Sequence, residues 1–188
     1  LMARNITDMA VHCRSLEIPL RSHTKSHKIP EIAHMQVESG AIGIACQKVG
    51  EAEVMVAAGI KDIMIPYNIV GRKKVERLTR LSKRAVITVA LDSDATARGI
   101  AEQAQRDGCE VRVIIELDTG SRRCGAQSPA DAVMLARQIV ELKGIDFKGI
   151  MTYPSRKEAE PFLEETVALM TKDGIPVEMI SGGGTGNE

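Results

Sequence analysis

At 188 residues, 44% of them hydrophobic and 27% charged, the chain is long enough to bury a substantial core and too apolar to be disordered. Its 25 basic and 25 acidic side chains cancel, so no global field draws it to nucleic acid or to an anionic membrane surface. Two Phe, two Tyr and no Trp leave few platforms for stacking bases, and no apolar run approaches the roughly 20 residues of a membrane helix. Neither nucleic acid nor a membrane is an expected partner. Cys13, Cys46, Cys109 and Cys124 form no CxxC pair and no hydrophobic leader opens the sequence, so reduced thiols in a cytoplasmic protein are expected.

In chain order, Met2, Ile6, Met9 and Ala10 predict a helix over Leu1 to about Arg14. A first strand is predicted around Glu17 to Arg21, ending in the polar string Arg21-Ser22-His23-Thr24-Lys25-Ser26-His27-Lys28. Pro30 suits the first turn of a helix running to Gly40. Apolar runs suited to buried strands follow at Ala41 to Cys46, Ile63 to Ile65, Ala85 to Leu91, Val111 to Leu117, Lys148 to Met151 and Val177 to Ser181. Between them, Ala97, Ile100, Ala101 and Ala104 mark a helix with Asp94 as its cap and Gly108 as its stop, and Ser128-Pro129-Ala130-Asp131 opens another. After Tyr153, Ser155 and Glu158 resemble a capping box, but Pro161 would fall inside that helix, so a loop is expected first and a helix from near Pro161.

Strands alternating with helices predict an α/β fold built on a parallel sheet, either doubly wound and open or a β/α barrel one strand short. The dinucleotide-binding GxGxxG is missing after the first strand. Barrels of this kind run to about 250 residues, so residues 1–188 are expected to be a partial barrel from a longer protein.

Functional groups of such folds sit beyond the carboxyl ends of the strands. That rule selects His23, Lys25, His27 and Lys28, then Gln47 and Lys48, Tyr67 and Asn68, then Asp118, Arg122 and Arg123, then Thr152 and Tyr153, and last the run Gly182-Gly183-Gly184-Thr185-Gly186. Consecutive glycines let backbone N–H groups converge on a phosphate, although the same run also suits a flexible tail. Within Arg21 to Lys28, which holds no carboxylate, neighbouring positive charge and partial desolvation would favour a neutral, nucleophilic lysine; a solvated basic loop is the alternative. His23 and His27 have the spacing of a metal pair but lack further ligands. An amine nucleophile beside a phosphate cradle suggests an aldehyde cofactor with a phosphate handle.

Arg21 to Lys28 resembles the RPHxKTHK motif of the D-threonine aldolase and D-serine dehydratase-like family, fold type III pyridoxal-phosphate enzymes with an alanine racemase N-terminal-like barrel; Ser22 and Ser26 replace its Pro and Thr. The resemblance continues through Gly43-Ile44-Ala45-Cys46-Gln47-Lys48, Glu51-Ala52-Glu53, Ile65-Pro66-Tyr67-Asn68, Asp118-Thr119-Gly120-Ser121-Arg122-Arg123-Cys124-Gly125 and Ser181 to Gly186. It implies a TIM-type barrel with about seven of eight strands in this chain. It also implies that Lys25 holds pyridoxal 5'-phosphate covalently, that Arg123 faces its phenolic oxygen, that Gln47 and Tyr153 line it, and that Gly183, Gly184 and Thr185 bind its phosphate. A C-terminal β-domain, supplying divalent-metal ligands outside these residues, and a homodimer are further implications, and these 188 residues alone would then be inactive. The implied activity is a lyase reaction on D-3-hydroxy amino acids, first as an aldolase. D-serine dehydratase, amino-acid racemase and a non-catalytic pyridoxal-phosphate homeostasis protein are the alternatives. Tyr153 is followed by Pro154-Ser155-Arg156, where family members often carry an acidic residue or His, then Gly and His.

Overall fold

The computed structural model describes residues 1–184. Its elements are α1 (Met2–Ser15), β1 (Arg21–His23), α2 (Pro30–Glu38), β2 (Gly43–Ala45), α3 (Val49–Ala57), β3 (Asp62–Ile65), α4 (Arg72–Ser82), β4 (Val86–Leu91), α5 (Asp94–Asp107), β5 (Val111–Leu117), α6 (Pro129–Val140), β6 (Ile145–Thr152), α7 (Glu160–Lys172) and β7 (Met179–Ser181). Short 3-10 turns occupy Thr24–Ser26 and Lys157–Ala159.

All seven strands are parallel and lie in sequence order, each hydrogen-bonded to the next. Side chains alternate across them, and the two faces bury against different things. Ile44, Ile63, Ile65, Val89, Leu91, Val113, Ile115 and Ile150 pack beneath the helices in the main core. On the other face Ala45, Met64, Ala90, Ile114 and Met151 form a second cluster, with Met179 against it, drawn from strands alone. Ser181 Oγ lies 3.9 Å from Met64 Sδ, linking β7 to β3 across that interior. A doubly wound sheet would carry helices on both faces, so this sheet is a barrel wall curled on itself and incomplete.

The first strand is displaced from the sequence expectation. Pro19 lacks an N–H and Glu17 sits at φ 56, so Glu17 to Pro19 do not extend the ladder; the Leu20 carbonyl accepts the Ile42 N–H at 2.9 Å, and β1 is the polar triplet Arg21–His23, aligned with Gly43–Ala45. β6 reaches beyond Lys148 to Met151 at both ends, through Ile145 and Thr152. Ser93, not Asp94, takes the N-cap position of helix α5, without a side-chain capping bond, and the helix ends at Gly108 in the left-handed conformation. Helix α6 starts as expected, with Ser128 Oγ accepting the Asp131 N–H at 3.1 Å. After Tyr153 the chain makes its short turn before α7, which opens at Glu160 with Pro161 in its first turn. Ser155 makes no capping box; its N–H donates to the Gly183 carbonyl at 2.8 Å.

Candidate active site

Because every strand runs the same way, the segments after β1, β2, β4, β5, β6 and β7 leave the barrel at one end. The turn carrying Lys25 is fixed there by its neighbours. Thr24 is fully buried, and its hydroxyl donates to the Ala45 carbonyl at 3.0 Å. The Lys25 N–H donates to His23 Nδ1 at 3.2 Å, and the Lys28 N–H closes the turn on the Thr24 carbonyl at 2.8 Å. Lys25 itself is exposed, contrary to the partial burial expected from sequence, and its Nζ lies 5.5 Å from the centroid of the Tyr153 ring.

The basic string is also less unbalanced than it reads. Arg21 belongs to the strand and pairs with Asp62 at 2.6 Å, while Lys28 pairs with Glu51 at 3.3 Å. Carboxylates from elsewhere in the fold supply what the string lacks. Burial, then the nearby Lys25 ammonium, lowers the His23 pKa. The Nδ1 of His23 is occupied as an acceptor, and His27 Nδ1 likewise accepts from the Ile29 N–H at 3.0 Å. Among the described residues no three His, Cys, Asp or Glu side chains gather as a metal site.

Gln47 follows β2, half-buried, with its N–H donating to Glu51 Oε2 at 2.9 Å. Arg123 is exposed on the loop after β5. That loop is built on Asp118, whose Oδ1 accepts from the Gly120 N–H at 3.1 Å, the Arg122 N–H at 2.9 Å and the Ser121 hydroxyl at 3.3 Å. Burial pushes the Asp118 pKa up, but these donors together with Gln127 outweigh it and leave the carboxyl below its ordinary value. Tyr153 follows β6, and Thr152 and Thr119 join their hydroxyls at 2.7 Å beneath it. Gly183 and Gly184 turn away from β7 at φ 138 and 144, in the region that favours glycine, and a Cβ built on Gly183 would meet open space. Thr185 lies outside the described residues.

Sequence reasoning missed two acidic groups at this end. Asp92, directly after β4, accepts the Gly125 N–H at 3.0 Å. Glu116 is 5% exposed, and its Oε2 has no hydrogen-bond partner. Burial chiefly, then Asp92 and Asp118, raise its pKa against the opposing influence of Cys124 and Arg123. Its signal was parity: within Val111–Leu117 it stands two residues from Ile114 and so shares the barrel's inner face with it. Cys46 and Cys124 are not rival nucleophiles. Burial pushes Cys46 up to about 11, and burial with Glu116 alongside pushes Cys124 up to about 12, so both stay protonated near neutrality.

The sequence pattern of the family "Alanine racemase, N-terminal domain" matches residues 2–181. The chain belongs to that family. It is one of fold type III pyridoxal-phosphate enzymes. The chain is 34% identical to a D-threonine aldolase of Arthrobacter sp over 97% of its own length and 52% of the relative's, and 31% identical to a 3-hydroxy-D-aspartate aldolase of Paracoccus denitrificans over 99% and 52%. It superposes on the D-threonine aldolase of Filomicrobium marinum with a TM-score of 0.94 at 35% identity, covering 98% of this chain and 54% of that one. The D-threo-3-hydroxyaspartate dehydratase of Delftia sp. HT23 follows at a TM-score of 0.84 and 27% identity, covering 98% and 52%. The chain thus spans about half the length of the relatives it matches. Its own residues fit the cofactor of the family: an exposed amine over an aromatic ring, an arginine on a tethered loop and an unfilled glycine turn lie at one end of one barrel.

Proposed function

We propose that this chain is the pyridoxal-phosphate-binding barrel of a lyase acting on D-3-hydroxy amino acids, with aldol cleavage as its reaction. The observation that carries the proposal is the placement of Lys25 on a braced turn after β1, its amine over the Tyr153 ring. When bound, pyridoxal phosphate supplies an aldehyde for an amine and a conjugated ring that takes up the charge left at Cα when a substrate bond breaks. Lys25 would hold that aldehyde through its amine. Arg123 would lie toward the cofactor's phenolic oxygen, Gln47 and Tyr153 would line its ring, and Gly183, Gly184 and Thr185 would hold its phosphate.

Similarity to the aldolases of Arthrobacter and Paracoccus supports the reaction, and that to the Delftia dehydratase supports elimination of water as a second reading. Divalent-metal ligands outside these residues, in a C-terminal β-domain, are part of the same proposal. A homodimer and a cytoplasmic location complete the proposal, the latter supported by four free cysteines. None of the described helices is long and apolar enough to cross a membrane.

Borohydride reduction of the cofactor-loaded protein, followed by peptide mapping, is expected to place the label on Lys25. A label on Lys28, or none, overturns the assignment. Aldehyde with glycine as products supports cleavage, and a keto acid with ammonia supports elimination.

A further inference from the structure

The loop that carries Arg123 is closed at its base like an extension of β5. The Asp118 N–H donates to the Ala126 carbonyl at 2.9 Å, and the Ala126 N–H donates back to the Glu116 carbonyl at 2.8 Å. The Asp118 side chain fills the enclosed space. Besides its three contacts through Oδ1, its Oδ2 accepts from Gln127 Nε2 at 3.3 Å. These bonds hold Arg122 at φ 52, a left-handed backbone that a non-glycine residue adopts at a cost. On the far side of Arg123, the Gly125 N–H is held by Asp92. A Cβ on Gly125 would stand 2.5 Å from the Asp118 nitrogen, so the two limbs of the loop touch.

Such a loop has few ways to move between its anchors. Arg122 and Gly125 are each tied through their N–H to an acid at the end of a strand, and Arg123 projects between them. We propose that Asp118, assisted by Asp92, is the positioning residue of Arg123, setting the direction in which its guanidinium meets the cofactor. Asp118 touches neither cofactor nor substrate in this role. The inference rests on the proposed contact between Arg123 and the bound pyridoxal phosphate.

The test uses the full-length protein that carries this barrel, freed of cofactor and titrated with pyridoxal phosphate. Dissociation constant and visible absorption band are read for Arg123→Leu, Asp118→Ala, Asp118→Asn and the double variant Asp118→Ala/Arg123→Leu. Arg123→Leu and Asp118→Ala are expected to weaken binding by about tenfold each and to move the band in the same direction, with no further loss in the double variant. Asp118→Asn retains an acceptor for the loop N–H groups and should stay within about twofold of the parent. Unchanged binding in Arg123→Leu overturns the role of Arg123, and this inference with it. A normal Asp118→Ala beside a weakened Arg123→Leu overturns the inference alone, as does an additive double variant. If Asp118→Ala does not fold, Asp92→Ala, which frees only the Gly125 N–H, takes its place with the same expected pattern and the same failures.

Discussion

A carboxyl inside a barrel wall costs stability once it ionises, and Glu116 is such a group. It is 5% exposed, its Oε2 has no partner, and burial is the main reason that its pKa stands above the ordinary 4.5. The native state therefore holds this proton more tightly than the unfolded chain does. Stability from that proton is complete below about 4.5 and drains away as pH rises through the raised value. Glu116→Gln keeps the shape without the titration. We expect the variant to gain on the parent in urea midpoint at pH 7 relative to the same comparison at about pH 4. A difference identical at both pH values would show that Glu116 carries no ionisation penalty. At the same scale, a motif singled out Lys25, the lysine proposed here to hold the cofactor, whereas no motif marked Asp92 or Glu116. Asp92 holds the Gly125 N–H, 33 residues on in the chain, and Glu116 takes its character from burial beside Asp92 and Asp118, so neither is set by its local sequence.

Elements were legible where their own sequence specifies them. Val111–Leu117 holds four β-branched residues, Val111, Val113, Ile114 and Ile115, and the strand matches the expectation residue for residue. Helix α6 announces itself through Ser128, Pro129 and Asp131, and the structure uses the serine as its cap. Ser128→Ala should therefore cost about 1 kcal/mol, read as a lowered denaturation midpoint in the protein carrying this barrel, with cofactor affinity unchanged. A loss below about 0.3 kcal/mol would mean that solvent or Pro129 satisfies the first turn as well. β1 shows the opposite case. Arg21, Ser22 and His23 have no apolar pattern, and their extended backbone is imposed by pairing with Gly43–Ala45, so hydrophobic periodicity pointed upstream to Glu17 to Arg21 instead. The consequence for the site is direct. With Arg21 drawn into the strand and onto Asp62, Lys25 sits two residues beyond the strand end rather than deep within a basic loop.

At the scale of the whole molecule, the sheet's strength is uneven. The central strands have β-rich sequences buried on both faces: β4 and β5 share four aligned pairs, and Val89, Leu91, Val113 and Ile115 are all fully buried. Toward the ends the strands shorten to three residues, β1 and β7 contain no fully buried residue, and neither pairs with the other among the described residues. Ile180 on β7 is 58% exposed, and beside β1 an apolar cavity of about 470 Å³ is lined by Met2, Ile6, Met9, Leu20 and Ile32. A fully buried isoleucine is worth roughly 1.5–3 kcal/mol relative to an exposed one, so the seam lacks a contribution that the centre has. The 188-residue chain expressed by itself should then open locally from the seam, and its unpaired strand edges favour association. Hydrogen exchange read by peptide is the measurement. Amides of β4 and β5 are expected to exchange at least about a hundredfold more slowly than those of β1 and β7, the gap corresponding to about 2.7 kcal/mol of local stability. Because Lys25 and Gly183 follow those two weak strands, the same experiment with pyridoxal phosphate should slow exchange in β1 and β7 and leave β4 and β5 unchanged. Uniform protection across all seven strands in the free chain would show that the barrel wall is a single cooperative unit and that the seam is not where its stability fails.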